Sequence, residues 1–251
     1  MSATKSADAA VLEILRNSKR DDEGLTLAGQ LSREEYQKVN KFLEMAGAKW
    51  NRKLAKHIYS GSAKADIERL LETGSVTDKK QLYQAFYTPD HISESMVRLA
   101  NVVAGENVLE PSAGVGSIAK AIAKTKAELT CVELNPDSAA VLESSGFAVH
   151  CRDFLECKED EICGPFDAVI MNPPFTKNQA FEHVLHAAGM LCDMGVLVAI
   201  VPNGNPRGKV LAAKWDELMG HCEYQEELEA GTFKESGTNV TTKIICLRVS
   251  K

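Results

Sequence analysis

The stretch VIMNPPFTK, residues 169–177, takes an apolar run into Asn172-Pro173-Pro174-Phe175. Two consecutive prolines lack N–H groups and hold φ near one value, so a strand cannot continue through them. The chain must stop there as a rigid terminus, with the Asn172 carboxamide and the adjacent carbonyls as preset acceptors. Beside the Phe175 ring, such acceptors suit a site that grips something flat and polar. A second constellation lies upstream in VLEPSAGVGSIAKAI, residues 108–122. It reads as a strand, a tight small-residue loop and a helix, in which Gly114 and Gly116 let the backbone approach a ligand. Ala119 takes the last place of a G-x-G-x-x-G pattern, so a dinucleotide is not favoured. Glu133, in CVELNP, can accept both ribose hydroxyls of a nucleoside. In CRDFLE, Asp153 can accept from an adenine amino group and Phe154 can lie on its ring. Taken singly each acid is a strand-end turn residue; together they fall at successive strand C-termini, where open α/β sheets bind ligands.

The elements that must position these residues begin near Val108. NVLE, ELTCVE, FAVHC, FDAVIMN and GVLVAIVP read as strands, separated by helices around 117–124, 137–144, 179–192 and 209–219. Near-continuous apolar strands with intervening helices imply a mostly parallel sheet covered on both faces. TTKIICLRV has no helix signal before it and reads as an antiparallel return. Residues 1–82 read as a helical N-terminal extension, and 83–251 as the main domain. In the extension, Ser32 and Glu35 form a capping box and Gly47 ends the helix they open; Gly74 ends a second helix.

Hydrophobic content of 44% and charged content of 25% are those of an ordinary globular protein. No apolar run approaches the ~18 residues of a membrane span, and no signal peptide is visible. The seven cysteines form no CxxC pair and sit mostly among apolar residues, which reads as reduced, buried thiols in a cytoplasmic protein. His183 and His186 make an HxxH on a helix, but no third ligand is identifiable, so no metal is expected. The net charge of −6 argues against a wholly basic nucleic-acid binder, yet Lys49, Arg52, Lys53, Lys56 and Lys64 cluster without an acid. With Trp50, His57 and Tyr59 among them, they form either a phosphate-tracking surface with stacking groups or a solvated face.

EPSAGVG, VELNP, RDF and NPPF, in this order, together with AFYTPDHISESMV at 85–97, resemble the S-adenosylmethionine-dependent DNA adenine-N6 methyltransferases. The resemblance covers about residues 84–249. It implies a Rossmann-like class I fold, seven-stranded and mostly parallel with an antiparallel last strand, and S-adenosylmethionine as cofactor. It places Tyr87, Thr88 and Pro89 at the methionine end, Glu110, Pro111, Gly114 and Gly116 around methionine and ribose, Glu133 on the ribose, and Asp153 and Phe154 on the adenine. It also implies the chemistry at Asn172. An exocyclic aromatic amine is a poor nucleophile, because its lone pair is delocalised into the ring. Acceptors at the Asn172 side chain and the Pro173 carbonyl can localise that pair toward a methyl donor, with Pro174 stiffening the turn and Phe175 stacking on a flipped or single-stranded base. Phe233 is either the second stacking aromatic or a hairpin core residue, and Arg207 either a phosphate contact or a solvated loop cation. The segment EMAGAKWNRKLAKHIYS is similar to that of small phage- or prophage-type methylases, which implies Lys49, Arg52 and Lys53 on DNA phosphates. Methylation of RNA bases or of a protein glutamine amide, and non-catalytic cofactor or DNA binding, are the alternatives.

Overall fold

In the computed structural model, the described residues are 4–59, 63–77, 88–229, 231–233 and 240–251. The chain divides into two compact units, Met1–Gln84 and Ala85–Lys251.

The C-terminal unit is built on seven strands: β7 (Asn107–Pro111), β8 (Glu128–Glu133), β9 (Ala148–Cys151), β10 (Phe166–Met171), β11 (Leu191–Pro202), β12 (Cys222–Glu227) and β13 (Thr242–Val249). Their order in the sheet is β12-β13-β11-β10-β7-β8-β9. The pairings from β11 through β9 are parallel, and β13 runs antiparallel to both β11 and β12. The expected seven-stranded, mostly parallel sheet with an antiparallel last strand is therefore present. Strand order reverses between β7 and β10, the crevice where such sheets take ligands.

Alternation along the strands explains the two-sided core. Val169, Met171, Leu197 and Ala199 face one apolar layer, while Ala168, Ile170, Val196 and Val198 face the other. Each fully buried Leu, Ile or Val contributes about 1.5–3 kcal/mol of transfer free energy. One helix, Asp90–Ala100, buries Ile92, Met96, Val97 and Ala100 in the second layer. Pro89 immediately precedes it with no side-chain cap, which fixes the entry of the chain and places Thr88 at the sheet's ligand edge.

Two assignments differ from the sequence reading. The helix expected to reach Cys192 ends at Gly189, and β11 starts at Leu191, because Leu191 pairs with Phe166 in the sheet and the Met190 carbonyl accepts the Phe166 N–H. β12 is an edge strand whose residues are almost all exposed, so no apolar alternation marks it in the sequence.

The N-terminal unit is not purely helical. Its helices α1 (Ala9–Asn17), α2 (Arg33–Met45) and α3 (Ala63–Thr73) pack around Leu15, Leu43, Ile67 and Leu70. Strands of two or three residues complete it: β2 (Lys19–Arg20), β3 (Gly24–Thr26), β4 (Lys49–Asn51) and β5 (Lys56–Ile58) form a sheet ordered β2-β3-β5-β4, and β1 (Thr4–Ser6) pairs with β6 (Ser75–Thr77). The capping box at Ser32 and Glu35 is present, and Gly47 and Gly74 take positive φ after their helices.

Candidate active site

The C-terminal ends of four neighbouring strands carry the residues singled out above. In spatial order these are Asn172 after β10, Glu110 in β7, Glu133 ending β8 and Asp153 after β9. A cavity of about 180 Å³ opens over β7 and β10, lined by Thr88, Glu110, Ser112, Gly114, Ser138 and Asn172, among others.

Asn172 is only 9% exposed. Its Nδ2 donates to Thr88 Oγ1 at 2.9 Å across 84 residues of sequence, while its Oδ1 is buried with no partner among the described residues. A buried amide oxygen without a donor carries a desolvation cost that an incoming N–H would relieve. The terminus is more enclosed than the prolines alone suggest, since Pro173 is also buried.

Glu110 is 2% exposed, accepts the Ala119 N–H, and leaves Oε2 without a partner among the described residues. Burial, then the neighbouring Glu133 charge, raise its carboxyl well above the usual carboxylate range. Glu133 accepts Gly114 N–H through Oε2 and Asn135 N–H through Oε1, each at 2.7 Å. Burial raises this carboxyl too, with backbone bonds from Asn135, Gly114 and Leu134 opposing. Glu133 thus also ties the glycine loop to β8.

The two loop glycines do different work. A Cβ on Gly114 would enter open space, at φ +58°, beside the cavity. A Cβ on Gly116, at φ +85°, would meet Leu142 Cδ2 at 2.7 Å. Gly116 therefore serves the packing of the loop on the helix Pro136–Ser144 rather than the close approach of a ligand. Gly116→Ala is expected to cost about 1–3 kcal/mol, read as a lowered thermal midpoint, through overpacking and left-handed strain. An unchanged midpoint would contradict this packing role.

Other predicted residues are placed differently. Asp153 caps a short 3-10 turn, accepting Leu155 N–H at 2.9 Å. That turn points Phe154 into the core: its ring is 3% exposed and lies edge-on to His186 at 4.9 Å and tilted on His183 at 5.6 Å. Phe154 is accordingly not free to stack on a cofactor ring. The same packing accounts for HxxH. His186 Nε2 bonds the Cys157 carbonyl, His183 faces Ser112, and burial pushes His183 down to about 4, so it is neutral near pH 7. No metal-holding cluster occurs among the described residues.

Phe175 and Phe233 are both buried and meet edge to face, with centroids 6.0 Å apart and planes at 77°. Rings in mutual contact leave no slot between them for a base, which favours the second of the two readings of Phe233 left open by the sequence. Phe233 is a core residue here. Pro111 ends β7 beneath the loop. The Asn178 side chain brackets the exposed Arg207 peptide, accepting its N–H at 2.9 Å and donating to its carbonyl at 2.8 Å. Tyr87 lies outside the described residues. In the N-terminal unit Lys56 pairs with Asp21 and Glu23, and Lys64 with Asp22, leaving exposed Lys49, Arg52 and Lys53 without an ion pair among the described residues.

Sequence reasoning missed Ser112, which lines the cavity at φ +82°, and Ser138. Ser112 stands inside the EPSAGVG stretch but its residue type suggested no role, and Ser138 is brought in by the helix Pro136–Ser144.

The residues at these strand ends fit a nucleoside-bearing cation. Glu110 Oε2 is an unsatisfied carboxylate oxygen at the cavity wall, and Gly114 leaves open space before it. Among known proteins, residues 88–227 match the family described as the methyltransferase small domain. Ribosomal RNA small subunit methyltransferase A of Mycobacterium avium is 29% identical over 133 residues, which are 49% of this chain and 41% of that protein. The protein of the same name from Bifidobacterium adolescentis is 36% identical over 75 residues, 30% of this chain and 25% of the relative. The matches thus span less than half of those relatives' length. A type I restriction-modification system methyltransferase subunit from Streptococcus thermophilus superposes with a TM-score of 0.56 at 19% identity, covering 87% of this chain and 54% of that one.

Proposed function

The chain belongs to the methyltransferase small domain family, and from that premise we propose that it transfers a methyl group from S-adenosylmethionine to the exocyclic N6 of adenine in DNA. The observation that carries this reading is the buried, partnerless Oδ1 of Asn172, held by the Thr88 bond and opening on the same cavity as Glu110. When bound, S-adenosylmethionine supplies an activated sulfonium methyl group, so the protein need form no covalent intermediate.

The remaining work falls to the chain's own residues. Asn172 Oδ1 accepts a hydrogen bond from the target amino group and, with the Pro173 carbonyl, draws the nitrogen toward a tetrahedral, nucleophilic state. The proton that the methylated nitrogen must lose leaves to water after transfer, with no strong general base assigned. Because Nδ2 is already committed to Thr88, no reorientation is required at the moment of reaction. Glu110 Oε2 takes the methionine ammonium, with Thr88 and Pro89 at that end. Glu133, fixed by Gly114 and Asn135, takes the ribose hydroxyls. Asp153 takes the cofactor's adenine amino group, without help from the Phe154 ring. Phe175 supplies an apolar wall for the target base, which must be unpaired or flipped to enter. Arg207, on the loop bracketed by Asn178, would meet a phosphate of the target strand.

The names of the curated relatives favour a second reading, in which the same amine chemistry acts on RNA. Labelled S-adenosylmethionine, offered with single-stranded DNA, duplex DNA, RNA and a protein extract, separates them. Label in DNA is the expected result. Label in RNA would keep the chemistry and replace the polymer, and label confined to protein would overturn the nucleobase reading.

A further inference from the structure

The N-terminal unit holds a cavity that the methyl-transfer chemistry does not use. It measures about 460 Å³, and Leu27, Leu31, Arg33, Tyr36, Trp50 and Ala55 help to line it. Trp50 is 48% exposed, unusual for so large an apolar ring. The ring is nevertheless braced. Tyr36 meets it edge-on at 6.4 Å, and His57, its cross-strand partner, lies 5.0 Å away. His57 is itself fully buried and bonded through Nε2 to Asn40 Oδ1 at 2.9 Å, while Asn40 Nδ2 is anchored on Glu44. An indole held this way offers a preorganised stacking surface at little entropic cost.

The charge around it is one-sided. Asp21, Asp22 and Glu23 are engaged by Lys56 and Lys64, Glu34 pairs with Lys38, and Glu35 closes the capping box. Arg33 lines the cavity, and Arg52 and Lys53 sit in the turn that leads to Ala55. All three are exposed, with no ion pair among the described residues. Asn51 Oδ1 accepts the N–H groups of Lys53 and Leu54, which sets that turn. A braced indole over a largely apolar cavity, with Arg33 in its lining and Arg52 and Lys53 in the turn that leads to Ala55, matches a flat base joined to a phosphate.

We propose that the cavity beside Trp50 binds an unpaired nucleotide of a nucleic-acid strand, its base stacked on the indole and its phosphates against Arg33, Arg52 and Lys53. A duplex is a poorer ligand, because its bases have no free face for the ring. The proposal rests on the reading of the substrate as nucleic acid, but its test does not pass through methyl transfer. The strand would thus be held by residues of the N-terminal unit as well as by those that meet the reacting base.

The test titrates the full chain with labelled single strands of deoxythymidine, uridine and a matched duplex. Anisotropy gives affinity and tryptophan emission reports stacking. The second tryptophan, Trp215, is 2% exposed and serves as a silent background. Quenching by the single strands, lost in Trp50→Phe, is expected, as is an affinity about tenfold to a hundredfold weaker in Trp50→Ala. The double variant Arg52→Ala with Lys53→Ala should lower the salt slope for single strands by about 1.4, from ~0.7 per phosphate. Preference for DNA or RNA would identify the sugar, with either supporting the site. Quenching that persists in Trp50→Phe, affinity unchanged in Trp50→Ala, or binding of the duplex alone would overturn it. Methyl transfer that fails while this binding persists would count against the proposed reaction and leave the site standing.

Discussion

Replacing Asn172 by Ala is expected to lower the rate of methyl transfer by about 10²–10³-fold, the loss typical of one preorganised acceptor or donor at a reacting centre. Cofactor affinity should fall far less than the rate, by about the worth of one bond to Thr88, because Glu110, Glu133 and Asp153 sit on other strands and keep their own partners. The argument rests on one side chain with two unlike ends. Nδ2 is satisfied by Thr88, whereas Oδ1 is buried and unpaired. A residue kept for packing alone would have no reason to bury an unsatisfied oxygen, since an apolar side chain of that size would avoid the cost. Single-turnover rates beside calorimetric cofactor binding make the distinction. Equal loss of both quantities would show that Asn172 shapes the cavity as a whole.

Glu110→Gln is expected to act with opposite signs on the empty and the loaded protein. Its carboxyl is raised, so the folded state holds the proton more tightly than the unfolded chain does. The stability this contributes is fully present below the ordinary carboxylate pKa and is lost as pH rises through the raised value. Glutamine keeps the oxygen that accepts from Ala119 and cannot ionise. The variant's thermal midpoint should therefore fall less with rising pH than the parent's, and the two should separate once the parent's Glu110 is ionised. Cofactor binding should weaken by about tenfold to a hundredfold, the worth of one charge-assisted hydrogen bond. In the parent, affinity should rise with pH across the same window, because a bound ammonium favours the ionised carboxylate and displaces its proton. Thermal melts and calorimetry in buffers of different ionisation enthalpy read both effects. Parallel melting curves, with no proton released on binding, would remove Glu110 from the ammonium site.

Much of this site was legible because parallel strands announce their own ends. Apolar runs stopping at Glu110, Glu133, Asp153 and Asn172 mark one edge of one sheet, whatever the strand order. What lay hidden was direction. Asp153 caps a 3-10 turn that carries Phe154 inward, and no periodicity encodes the facing of a three-residue turn. Gly116 reads like Gly114 in sequence, yet only its contact with Leu142 shows that it serves packing. Phe233 reads equally as a stacking or a core residue until its edge-on contact with Phe175 is seen. The strands of the N-terminal unit, two or three residues each, are too short to show alternation. The Thr88–Asn172 bond, which explains why the amide faces as it does, joins segments 84 residues apart.

The position of the methyl group on the product tests the central claim most directly. Mass spectrometry of nucleosides from DNA treated with the enzyme and S-adenosylmethionine, against standards methylated at N1 and at N6 of adenine, gives that position. An acceptor at Asn172 Oδ1 that activates an exocyclic amine predicts N6-methyladenine. Methyl on a ring nitrogen or a ring carbon would contradict it, because neither position calls for an acceptor directed at amino hydrogens.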